Sequence, residues 1–134
     1  MKKIETSALI GLGALGILFG RKMPGVKVIA DAERVARYSA QPVVCNGEEC
    51  HFDYVTPEQG QPVDLLLVAV KATVLEQAIR DMKKFIGPDT IILSVLSGKW
   101  LWPTISVLAA YLCCQLRRWV ALLVIAMVPG INWL

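Results

Sequence analysis

The stretch Thr6-Ser7-Ala8-Leu9-Ile10-Gly11-Leu12-Gly13-Ala14-Leu15-Gly16 decides the fold. Thr6 to Ile10 is a short apolar run that enters a glycine cluster, the pattern of a buried first strand. Gly11 to Gly16 satisfies G-x-G-x-x-G between a predicted strand and a predicted helix, which is the context a dinucleotide-binding fingerprint requires. Gly11 permits the tight turn, Gly13 lets the backbone approach a pyrophosphate, and Gly16 lets the helix lie close to the strand. The anion would then rest on N–H groups at the positive end of that helix. A glycine-rich apolar run can also serve packing alone, but the order strand, loop, helix favours the phosphate loop. Leu12, Ala14 and Leu15 complete it as candidate cofactor-binding positions.

Downstream of the loop, Leu15, Leu18, Phe19 and Met23 recur near helical spacing, and Pro24-Gly25 ends the helix. Val26, Val28 and Ile29 suggest a second strand. Asp31 is placed to cap a polar helix over Ala32 to Tyr38 that closes at Gln41-Pro42. Val43 to Val55 alternates loosely around Asn46-Gly47, a strong hairpin signal, and predicts a small surface hairpin carrying Cys45, Cys50 and His51. Leu65 to Val70 is an unbroken apolar run of the parallel-strand type, buried on both faces. Val74, Ala78, Met82 and Phe85 then mark a helix stopped by Gly87-Pro88, and Thr90 to Leu96 is a further buried strand. This order predicts an α/β fold, a Rossmann-like doubly wound parallel sheet, over residues 1–98.

Asp31 stands twenty positions beyond Gly11, at the end of the second strand. An acidic residue there accepts hydrogen bonds from a ribose 2′-hydroxyl and favours NAD, whereas a nearby arginine accommodates the 2′-phosphate of NADP. The sequence offers both, since Arg34 and Arg37 follow one helical turn apart. Asp31 can equally be only the N-cap of its helix. Local chemistry leaves the choice between NAD and NADP open.

Taken together, Gly-Leu-Gly-Ala-Leu-Gly, the segment Val63-Asp64-Leu65-Leu66-Leu67-Val68-Ala69-Val70-Lys71, and the strand Ile91 to Leu96 running into Ser97-Gly98 resemble the N-terminal domain of ketopantoate reductases (2-dehydropantoate 2-reductases). The likeness covers about residues 6–98. It implies an oxidoreductase that reduces the 2-keto acid ketopantoate to pantoate with NADPH, in pantothenate biosynthesis. It also implies that Lys71 contacts the cofactor. Family members usually carry Asn-Gly after the last strand here, with the asparagine near nicotinamide and substrate; Ser97 occupies that position and has a shorter reach. The family's usual arginine after the second strand is replaced by Asp31, a departure from the pattern of an NADP enzyme.

Residues 99–134 depart further. They hold all four tryptophans, Trp100, Trp102, Trp119 and Trp133, and beyond Lys99 the only charged residues are Arg117 and Arg118. The family continues with a helical C-terminal domain supplying the lysine that donates a proton, and nothing in this apolar tail is equivalent. Carbonyl reduction needs a positioned proton donor as well as a cofactor, so a chain truncated in this way is expected to bind cofactor without turnover. The abrupt change in composition at Ser97-Gly98-Lys99-Trp100 is that of a shifted reading frame; an inserted or fused segment would look the same. A helical tail is expected in either case. As a membrane anchor it is split by Arg117-Arg118 into pieces shorter than the roughly 20 residues that span a bilayer.

Composition narrows the remaining classes. The hydrophobic fraction is 55% and the net charge is +3, with no Lys/Arg cluster interleaved with aromatic residues, which argues against nucleic acid as a partner. Cys45, Cys50, Cys113 and Cys114 lack C-x-x-C spacing and are expected as free thiols in a reducing cytoplasm. The start, Met1-Lys2-Lys3 before an apolar stretch, imitates a signal peptide, but ordered glycines interrupt the run and no small-x-small cleavage site follows. His51 has no second histidine to make a metal site. Adjacent Glu48 and Glu49 would face opposite sides of a strand and cannot act as an acid/base pair. Asp64, at a strand start, is expected to be structural.

Overall fold

The computed structural model describes residues 3–95 and 123–124. The chain opens with β1 (Ser7–Ile10), α1 (Ala14–Lys22), β2 (Lys27–Ile29) and α2 (Ala32–Ala40). The short strands β3 (Val43–Cys45), β4 (Glu48–Cys50) and β5 (Asp53–Val55) follow. β6 (Leu65–Val68), α3 (Leu75–Met82), β7 (Ile91–Ser94) and β8 (Leu123–Val124) complete the order. Among the described residues six strands form one sheet in the order β5-β2-β1-β6-β7-β8, and every pairing in it is parallel. β3 and β4 form a separate antiparallel hairpin.

The two faces of the sheet are buried by different helices, as alternation along each strand demands. Ala8, Ile10, Leu66, Val68 and Ile92 point to the side covered by Leu75, Ala78, Ile79 and Met82 of α3, with Phe85 just beyond. Leu9, Val28 and Leu67 point to the other side, where Leu15, Phe19 and Met23 from the α1 segment pack. β6 therefore contributes to both cores, which is why Leu65 to Val68 reads as continuously apolar. The sheet is doubly wound, with the reversal of strand order between β1 and β6.

Both central strands are also tied at their starting ends. Asp64 Oδ2 accepts from the Glu5 amide at 3.1 Å, the Thr6 amide at 3.0 Å and Thr6 Oγ1 at 3.0 Å. Thr6 Oγ1 in turn accepts from the Asp64 amide at 3.0 Å. This clasp fixes the register of β1 against β6 and gives Asp64 a structural role.

Several local expectations are corrected. β5 was expected inside a hairpin running to Val55, but it leaves the hairpin and pairs in parallel with β2, Val28 opposite Tyr54. Tyr54 secures it there, stacking on Tyr38 of α2 with ring centroids 5.3 Å apart. Cys50 is correspondingly buried beneath the hairpin rather than displayed on the surface. α2 runs two residues past Tyr38, held by Ser39 Oγ donating to the Val35 carbonyl at 2.8 Å. Leu18 is 48% exposed and Val74 46% exposed, so neither belongs to the core face of its helix. In the first case α1 approaches the sheet through Gly16 and Gly20, and in the second Leu75 rather than Val74 begins the apolar stripe. The expected tail helix and Ser97 lie outside the described residues, except that Leu123–Val124 is a strand beside β7 and not helical. Among the described residues no helix is long and apolar enough to cross a membrane.

Candidate functional site

The end of the sheet where β1, β2 and β6 finish gathers the residues the sequence singled out. Ile10 is in register with Ile29 on one side and Val68 on the other. Gly11, the Ala30-Asp31 step and the Ala69-Val70-Lys71 segment therefore leave the sheet side by side. This is the crevice at a topological switch point, where open α/β sheets bind their ligands.

Each glycine of the loop sits in a different environment. Gly11 has φ +99°, a conformation that side chains disfavour, and a Cβ there would run into the Ala69 carbonyl and come within 2.9 Å of Val70 Cγ1. Gly16 is buried, and a Cβ on it would overlap the carbonyl oxygen of Gly11. Around Gly13, by contrast, there is nothing within 4 Å of the Cβ position among the described residues. The loop is thus closed beneath and beside Gly11 and Gly16, and open in front of Gly13. Leu12 and Leu15 are half-buried against the core on the α1 side, while Ala14 is exposed.

The helix that follows begins without a side-chain cap. Gly13 is its N-cap residue, and its first turn carries no acidic residue. The carbonyl of Gly13 accepts from the Ile17 amide at 2.9 Å, and Gly13 itself has no side chain to cap the amides of the first turn. α2 differs: Asp31 Oδ1 accepts from the Arg34 amide at 2.8 Å. An uncapped helix start facing an open glycine suits an anion, because the amide dipoles there point outward.

Asp31 lies at the same end of the sheet, with its Oδ2 3.5 Å from Arg34 Nε, and both side chains are exposed. Arg37 places its guanidinium carbon 5.3 Å from the centre of the Tyr38 ring. Lys71 is exposed one residue beyond Val70, and its carbonyl accepts from the Val74 amide at 3.1 Å to start a short 3-10 turn. Sequence reasoning missed two features. The backbone of Ala69 and Val70 forms the wall of the loop, and no side-chain motif announces it. Ser94, the last residue of β7, is buried among apolar neighbours, and its hydroxyl has no hydrogen-bond partner among the described residues. A lone serine in the run Ile91 to Leu96 was the only signal for it.

Other polar groups are placed elsewhere. Glu48 pairs with Arg21 at 2.6 Å, and the thiol of Cys45 followed by this carboxylate raises the guanidinium above its ordinary pKa. Glu49 lies 3.7 Å from the ring of His51, which is 75% exposed. Among the described residues no three His, Cys, Asp or Glu side chains converge as a metal site would need. A cavity of about 340 Å³ between Arg21, Pro24, His51 and Asp53 lies at the opposite end of the sheet from the glycine loop. It is wide open to solvent, and its Arg21 is already engaged, so the chemistry favours the glycine loop over this hollow.

Comparison with known proteins gives the family and the fold. A family model described as "Ketopantoate reductase PanE/ApbA" matches residues 7–112, a segment that runs past Gly98, where the visible resemblance stops. No curated protein matches the chain. Among solved structures, D-mandelate dehydrogenase in complex with NADH is 28% identical with a TM-score of 0.59, covering 76% of this chain and 35% of that one. A PanE/ApbA family ketopantoate reductase from Ralstonia eutropha JMP134 is 22% identical with a TM-score of 0.58, covering 91% and 40%. A 2-dehydropantoate 2-reductase from Geobacter metallireducens GS-15 is 22% identical with a TM-score of 0.57, covering 78% and 38%. The chain thus spans well under half the length of the structures it matches.

Proposed function

The chain belongs to the PanE/ApbA ketopantoate reductase family, and from that premise we propose that it holds a nicotinamide dinucleotide on the Gly11–Gly16 loop, as the cofactor domain of a 2-keto acid reductase. One observation carries this reading. At the switch point of the sheet, Gly11 and Gly16 are closed against backbone while Gly13 stands open at an uncapped helix start. A pyrophosphate needs such a place: amide donors, a positive dipole end and no side chain in its way. The similarity to D-mandelate dehydrogenase bound to NADH supports the same class of cofactor.

When bound, a reduced dinucleotide supplies hydride to the carbonyl carbon of a 2-keto acid, with ketopantoate as the family's substrate and NADPH as its donor. Gly11 to Gly16 orient the pyrophosphate, and Lys71 stands where β6 opens into the same crevice. Ser97, outside the described residues, takes by family resemblance the position that faces the nicotinamide or substrate. The carbonyl oxygen must also receive a proton. From Trp100 on, the chain has no lysine, histidine or acidic side chain to deliver it. The family's donor lies in its C-terminal domain, so the reading proposed for the 134-residue chain is cofactor binding without turnover of ketopantoate.

Isothermal titration calorimetry with NADH and NADPH tests the first part, and absorbance at the reduced-nicotinamide band with ketopantoate added tests the second. Binding of either dinucleotide without oxidation is the expected result. Failure to bind both would remove the glycine-loop reading, and turnover would show that this chain carries its own proton donor.

A further inference from the structure

The sequence leaves two ways to meet the 2′ position of the adenosine ribose, the Asp31 carboxylate or the guanidinium groups of Arg34 and Arg37. The structure separates them. Ala30 still belongs to the sheet edge, its amide donating to the Val55 carbonyl at 3.0 Å. Asp31 is therefore the first residue past the strand, with extended backbone at φ −65° and ψ 163°. Its Oδ1 is anchored by the Arg34 amide at 2.8 Å, which fixes the carboxylate at the strand end.

Both cations are turned to partners of their own. Arg34 holds its Nε toward Asp31 Oδ2 at 3.5 Å, so its charge is drawn to the carboxylate. Arg37 lies over the Tyr38 ring, which itself stacks on Tyr54. The group that the backbone fixes at the strand end is thus a carboxylate, with Arg34 paired to its free oxygen. An anchored carboxylate accepts hydrogen bonds from ribose hydroxyls and repels a phosphate, which carries about −1.5 to −2 charges near neutral pH.

We propose that this chain selects NAD(H) over NADP(H), with Asp31 as the residue that sets the choice. The inference rests on the reading that a dinucleotide lies on the glycine loop, and it departs from the family's NADPH. Asp31 Oδ2 exchanges its contact with Arg34 for the 2′-hydroxyl, while Oδ1 remains the cap of α2.

The test is the ratio of Kd values for NADPH and NADH, measured by calorimetry on the 134-residue chain. NADH is expected to bind tighter by about tenfold or more, the size of one unfavourable charge contact in water. Asp31→Asn keeps the N-cap, because asparagine caps as well as aspartate. Its Tm should stay near the parent's while the NADH advantage shrinks about tenfold. Equal or tighter binding of NADPH by the parent chain overturns the proposal, as does an unchanged ratio in a well-folded Asp31→Asn. Binding of neither cofactor overturns the glycine-loop reading and this inference with it, an outcome distinct from a preference for NADPH.

Discussion

Gly16 of α1 rests on the carbonyl oxygen of Gly11 with no room between them for a methyl group. Both sides of this contact are backbone, so no flexible side chain can give way. Gly16→Ala should destabilise the fold by about 2–3 kcal/mol and Gly16→Val by more. Urea denaturation would show the loss as a lower midpoint at constant slope. A midpoint equal to the parent's would mean that α1 can lift away from the loop.

Gly13 is the opposite case, because the space before it is open. Gly13→Ala should cost only about 1 kcal/mol or less, the difference between glycine and alanine at a helix N-cap. Its methyl group would stand where the pyrophosphate approaches, so cofactor affinity should fall by about tenfold or more. Calorimetry and thermal melting on the same sample separate the two effects. A variant that melts early yet binds normally would contradict this assignment of the loop.

Tyr54 is sensitive to alkali. Burial raises the pKa of its phenol, and the nearby Tyr38 and Cys50 add to the shift. Its folded-state pKa lies above the unfolded value of about 10, so its contribution to stability is complete below that pH and is lost as pH rises through the folded pKa. Its hydroxyl oxygen is buried with no hydrogen-bond partner among the described residues. Tyr54→Phe should therefore match or exceed the parent's Tm at pH 7.5 and lose less of it at pH 10.5. Steeper alkaline loss in the variant would refute this.

Asp64 joins the starts of β1 and β6 through three accepted hydrogen bonds. Asp64→Ala leaves the Glu5 and Thr6 amides to solvent and should cost about 1–2 kcal/mol. Asp64→Asn retains an acceptor oxygen and should lose about half as much. Equilibrium unfolding of the two variants measures the difference, and equal losses would point to charge rather than hydrogen bonding as the source.

The sequence was legible where one physical requirement acts alone. Gly11 to Gly16 and the run Leu65 to Val68 carry their constraints locally, as a positive φ or as burial on both faces. Asn46-Gly47 also announced its turn, and both residues have positive φ, 54° and 81°. Reading failed where partners distant in sequence decide. Asp53–Val55 alternates like the hairpin before it, with no glycine or proline at His51-Phe52 to mark a break. Its membership of the sheet comes from pairing with β2 and from the stack of Tyr54 on Tyr38. Leu18 matched the helical period, but the close approach of α1 at Gly16 and Gly20 turned that position outward. At Asp31 the letters allowed two roles, and only geometry showed that one oxygen caps the helix while the other faces Arg34.

The clasp between Thr6 and Asp64 joins residues 58 positions apart. The glycine segment therefore leaves the ribosome well before its wall at Ala69 and Val70 has been made. Until β6 emerges, β1 lacks the strand that completes its central pairing, and an apolar edge stays exposed to the surroundings. The crevice proposed for the dinucleotide takes shape only at that long-range closure, so a nascent chain halted before β6 would meet chaperones as an unpaired apolar strand rather than as a folded sheet.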